Sequence, residues 1–169
     1  MSIYAMPQYC PQSALTVRAA AQLRRSSRRS RIVRDSGRVD ASSASRVSVE
    51  SGVGWLPFVV GALDWMWREC AVSKEHPDYD LLPSEYFKRQ IYGCFWFEHG
   101  PSFEAALETI GPDNLLYETD FPHPTSMSPG PASSALVPRD FITERLGHLP
   151  PDVLRKVLHE NAARIYHLD

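Results

Sequence analysis

From Arg46 onward the apolar and polar positions follow two distinct periods. Val47-Ser48-Val49 has the two-residue alternation of a strand and ends at Glu50. Ser51-Gly52-Val53-Gly54 comes next, and its two glycines suit a tight strand-to-helix turn. Trp55 to Glu69 then adopts helical spacing. Trp55, Phe58, Val59, Ala62, Leu63 and Met66 share one face, and Pro57 fits the first turn. Lys74 to Leu82 is polar and reads as loop, and Pro83 to Arg89 as a short helix. Ile91 to Phe97 is the densest strand signal, apolar almost throughout, as in a strand covered on both faces of a parallel sheet. It is followed by Glu98, His99 and Gly100.

Pro101 to Ile110 predicts a helix with Phe103, Ala106, Leu107 and Ile110 inward and Gly111 as its stop. Leu115 to Thr119 is a third strand, and it stops on Asp120; Pro122 and Pro124 cannot extend a strand ladder. A Pro/Ser/Gly loop runs to about Pro138, a length and position that favour a site loop. Arg139 to Leu146 and Pro150 to Tyr166 are the last helices, the second with Leu154, Val157, Leu158 and Ile165 inward.

Strands alternating with helices of this length predict an α/β fold with a parallel sheet. Right-handed crossovers then bring Glu50, Glu98 and Asp120 to one edge, where α/β folds carry their sites. A carboxylate at the tip of a buried strand needs compensation. For Asp120 a metal ion is one compensation, with His123 as a further polar partner; capping of the following loop is the other reading. Glu50 lines the site or is a strand-end residue bonded to the Gly52 turn. Trp55 and Trp96 are expected in the core, Glu98 and His99 on the rim.

Composition divides the chain. Residues 1–45 carry eight arginines, no lysine, and only Asp35 and Asp40, a charge of +6; residues 46–169 carry ten basic and eighteen acidic residues, a charge of −8. The Arg/Ser-rich segment 1–45 lacks the apolar content to offset chain entropy, so it is expected to be disordered, outside an ordered domain at 46–169. Such text suits a solvated tail, an organelle transit peptide, an anion-binding arm, or a mis-start or shifted frame. No aromatic residue lies between Arg18 and Arg38, which argues against stacking on nucleic-acid bases. No run approaches the ~18 apolar residues of a membrane span. Cys10, Cys70 and Cys94 are too few and scattered for a disulfide framework or a Cys-based zinc site. They fit the reducing cytoplasm.

Val47 to Phe58, Ile91 to Phe97, Leu116 to His123 and Asn161 to Tyr166, in this order, resemble the amidohydrolase-related family, in the branch similar to aminocarboxymuconate-semialdehyde decarboxylase. The resemblance covers about 46–169. It implies the C-terminal portion, about strands six to eight, of a (β/α)8 barrel. It also implies a metal-dependent enzyme that hydrolyses or decarboxylates a small carbonyl or carboxylate substrate. Asp120 would be a ligand of a divalent metal, most often zinc; Glu50 would be a general base or metal neighbour where many relatives have histidine; His123 would face substrate. The family's other ligands, a His-x-His pair and a further histidine, have no counterpart among His76, His99, His123, His148, His159 and His167. The isolated chain is therefore expected to bind metal weakly or not at all and to be inactive. The alternative is a non-catalytic fragment or interaction module that self-associates or pairs with a complementing chain through its sheet edges.

Overall fold

The computed structural model describes residues 45–77, 79–123 and 134–168. The expected disordered arm and most of the Pro/Ser/Gly loop lie outside the described residues. Three short strands, β1 (Arg46–Ser48), β2 (Ile91–Phe95) and β3 (Leu115–Tyr117), form a parallel sheet in the order β1-β2-β3. The register pairs Ser48 with Gly93 and Gly93 with Leu115. The fold is thus mixed α/β, as the alternation predicts. The second strand stops at Phe95, two residues before its predicted end. Phe97 is 55% exposed, so the aromatic run beyond Phe95 has already left the sheet.

Helix α1 (Leu56–Glu69) follows β1, then come α2 (Val72–Glu75) and α3 (Pro83–Gln90). The predicted face of α1 is out of phase. Its buried positions are Leu56, Val60, Leu63 and Trp67, whereas Phe58 is 79% exposed. The helix is apolar nearly all round, so periodicity alone admits two faces, and the turn before it decides between them. Trp55 is not a core residue. It is half-buried, and its indole N–H donates to the Gly52 carbonyl at 2.9 Å. The short α2 occupies the start of the predicted loop.

The described residues separate into two compact units, 60–86 and 45–59 with 87–168. In the first, Trp67 and Val72 pack with Cys70, Tyr79 and Leu82. The amide of Ser84 donates to Asp64 Oδ1 at 2.8 Å. In the second, Val53, Leu56, Phe95, Phe103 and Leu115 are fully buried. Gly93 is required by this packing: a Cβ there would lie 2.9 Å from Val53 Cγ1 and 3.2 Å from Leu56 Cδ1. Helix α4 (Pro101–Ile110) covers β2, with the Phe95 and Phe103 rings 4.6 Å apart. Helix α5 (Pro138–Phe141) stacks Phe141 on Tyr117 at 5.8 Å and continues as a π-helical turn over Ile142–Leu146. The last helix begins as α6 (Pro151–Arg155), widens to a π-helical segment at Lys156–Glu160 and ends as α7 (Asn161–Tyr166). Among the described residues no helix is long and apolar enough to cross a membrane.

Two buried asparagines hold the entry edge of the sheet. Asn114 donates to the carbonyls of Lys88 and Ile91 at 2.8 and 2.7 Å. Asn161, fully buried, donates to the carbonyls of Pro112 and Leu115 at 2.7 and 2.8 Å. Each asparagine thus serves the first carbonyl of a strand, Ile91 or Leu115, and one in the segment before it, Lys88 or Pro112, and buried carbonyls need such partners. Replacing Asn161 by alanine strands two of them in the core, and a loss of about 2–4 kcal/mol is expected from urea unfolding. Asn161→Asp, which cannot donate at neutral pH, is expected to lose at least as much. A change below about 0.5 kcal/mol in both variants would refute this role.

Candidate functional site

The parallel register brings the residues that follow the strands to one edge. β1 leads into Glu50, which has a left-handed backbone (φ 56) although it is not glycine. Its amide donates to Glu118 Oε1 at 2.9 Å. β3 leads into Glu118, whose amide continues the ladder to the Phe95 carbonyl at 2.9 Å. Two residues on is Asp120, also left-handed (φ 55), with its side chain 11% exposed. Its carbonyl accepts the His123 amide at 2.8 Å, and its Oδ2 lies 3.6 Å from His123 Nδ1. The three sequence candidates Glu50, Asp120 and His123 thus all sit at the C-terminal edge of the sheet, Glu50 at the end of β1 and the other two beyond β3.

Two acids depart from expectation: Glu118 is not among the sequence candidates, and Glu98, expected on the rim of this edge, is buried. Burial pushes the Glu118 carboxyl above its ordinary 4.5; the Glu50 amide and the Cys94 thiol pull it back, and the negative charges of Asp120 and Glu50 raise it again. Cys94, beneath it on β2, is pushed up to about 12 by burial first, then by the charge and hydrogen bond of Glu118. Its thiol is therefore neutral and serves as a donor. A signal for Glu118 existed: in an extended chain it shares a face with Asp120, two residues later.

The second is Glu98, expected on the rim and found 6% exposed. The chain turns inward after Phe97, and Glu98 Oε1 accepts the Val53 amide at 2.6 Å. Its Oε2 is buried with no hydrogen-bond partner among the described residues. His99 does lie at the surface, its Nδ1 3.1 Å from the Phe97 carbonyl.

A divalent metal needs three or more protein ligands to be held tightly at such an edge. Among the described residues no group of three His, Cys, Asp or Glu side chains is arranged to hold one. Asp120 with His123 supplies a partial donor set, so the described residues do not by themselves fit a complete metal centre.

The raised Glu118 pKa has a stability consequence. An acid whose folded pKa exceeds its unfolded value favours folding when protonated. That contribution is present below the ordinary carboxylate value and is lost as pH rises through the raised one. Glu118→Gln keeps an acceptor for the Glu50 amide and removes the charge. The gain in urea midpoint of Glu118→Gln over the parent, measured in chelator, should therefore grow between about pH 4 and about pH 7. A constant difference across that range would contradict the cause assigned to the shift.

The family model described as Amidohydrolase matches residues 47–168. The crystal structure of 5-carboxyvanillate decarboxylase LigW from Sphingomonas paucimobilis is similar at 26% sequence identity and a TM-score of 0.50. The match covers 70% of this chain and 33% of that one, so this chain spans about a third of that chain's length. No curated protein matches.

Proposed function

The chain belongs to the amidohydrolase family, and from that premise we propose that residues 46–169 form one wall of a metal-dependent hydrolase or decarboxylase site. In this reading β1, β2 and β3 are strands six, seven and eight of an eight-stranded barrel. The substrate is a small carbonyl or carboxylate compound, and the likeness to 5-carboxyvanillate decarboxylase favours decarboxylation. Asp120 is the metal ligand this wall contributes, zinc being the metal that suits a carboxylate-and-histidine donor set. Bound, the metal would polarise a substrate oxygen or a water. His123 faces substrate, and Glu50 is a base or a neighbour of the metal.

One observation carries the reading. Glu50, Glu118 and Asp120 gather at the outlet edge: the Glu50 amide donates to Glu118 Oε1 at 2.9 Å, Asp120 follows two residues later, and both acids add to the rise that burial first gives the Glu118 pKa. Carboxylates gathered at the outlet edge of a parallel sheet repel one another, and a cation relieves that repulsion. The family's His-x-His pair and further histidine have no counterpart in this chain, so the ligands that complete the centre would come from a complementing chain, and the isolated chain is inactive.

Calorimetric titration of the purified full chain with zinc tests this. No stoichiometric binding tighter than about 1 µM is expected, and Asp120→Asn should abolish the weak residual heat. One equivalent bound more tightly than that would show a complete site and overturn the proposal that the wall is partial.

A further inference from the structure

We propose that Glu98 is a positioning residue: through its buried bond to the Val53 amide it fixes the turn that sets Glu50 against Glu118. The inference rests on the reading of Glu50 as a site residue. Glu98 touches neither Glu50 nor Glu118 by hydrogen bond; it acts through the intervening Ser51-Gly52-Val53.

The turn is closely fastened. Gly52 is left-handed (φ 63), and a Cβ built on it would run into Glu98 Oε1. The Gly52 carbonyl accepts the Trp55 indole N–H at 2.9 Å and the Ser51 hydroxyl at 3.2 Å. The Ser48 and Ser51 hydroxyls are 2.6 Å apart. These contacts are local, within a few residues of sequence. The Glu98 bond reaches across forty-five positions at 2.6 Å and ties the turn to the segment leaving β2. Glu50, immediately before the turn, holds a left-handed conformation that costs free energy for any residue with a Cβ. Its place opposite Glu118 therefore depends on what holds the turn.

Chemistry supports a positional role over simple packing. Burying a carboxylate with one oxygen unpartnered among the described residues is costly, and an apolar side chain would fill the space at no such cost. An apolar side chain could not accept the Val53 amide. Glycine at 52 makes room for that oxygen, and the pair acts as a latch between the first turn and the second strand's exit.

Amide hydrogen exchange on the full chain separates this role from general stabilisation. Glu98→Ala removes the Val53 acceptor directly, so Val53 is uninformative and Glu50 is the reporter. The Glu50 amide should exchange about tenfold faster relative to the parent. The Glu118 and Gly111 amides, bonded to the Phe95 and Leu107 carbonyls at 2.9 Å, should change little. Glu98→Gln keeps an acceptor oxygen and should restore Glu50 protection. If Glu98→Ala does not fold, Glu98→Asp, which withdraws the oxygen by one methylene, should give the same Glu50-selective loss. Uniform acceleration of all three amides, unchanged Glu50 exchange, or failure of Glu98→Gln to restore it would overturn the proposal. The readout needs neither metal nor turnover, so a failed exchange result and a failed metal-site reading are told apart.

Discussion

Parallel pairing of β1, β2 and β3 obliges all three strands to leave the sheet at one edge. At that edge the chain places Glu50, Glu98, Glu118 and Asp120. Four acids so close to a low-dielectric core need partners. Backbone amides supply some: Glu50 donates to Glu118, and Val53 donates to Glu98. The Cys94 thiol supplies another, kept neutral by burial first and by Glu118 second. These donors only partly offset burial and like charge, since the Glu118 pKa stays raised. In the proposed reading, a cation would offset that imbalance.

The opposite edge is built for stability. There the buried polar groups are neutral amides, Asn114 and Asn161, each donating to two backbone carbonyls. Arg164 adds a bond to Asn161 Oδ1 at 3.2 Å and one to the Asp113 carbonyl at 2.7 Å. Buried neutral amides and paired charges at the entry edge, against gathered acids at the exit edge, follow the division of labour of parallel α/β architectures. The last helix, through Asn161, anchors β3 and so fixes where Asp120 begins.

Much of this was legible in the chain. The alternation of strands and helices, the parallel sheet and the placing of Glu50 and Asp120 at one edge all follow from periodicity and connection handedness. The phase of α1 did not, because Leu56, Phe58, Val60, Leu63, Trp65 and Trp67 make the helix apolar on more than one side. Glu98 was misplaced for a related reason. Reading the strand through to Phe97 put the acid on the rim, whereas β2 ends at Phe95 and Glu98 turns in to the Val53 amide. That return is a tertiary contact across forty-five positions, and no local pattern carries it. Glu118 was hidden inside a strand-like run, although two-residue alternation from Asp120 pointed to it.

We propose that the exit edge of this sheet, with Asp120 as its metal-facing carboxylate, is where a divalent cation binds. Paramagnetic broadening of amide resonances by substoichiometric Mn²⁺ maps cation contact even when binding is weak. The account predicts that Asp120 and His123 broaden first, followed by Glu118 and Glu50, with the Asn114 and Asn161 edge unaffected. Broadening concentrated elsewhere while Asp120 stays sharp would contradict it.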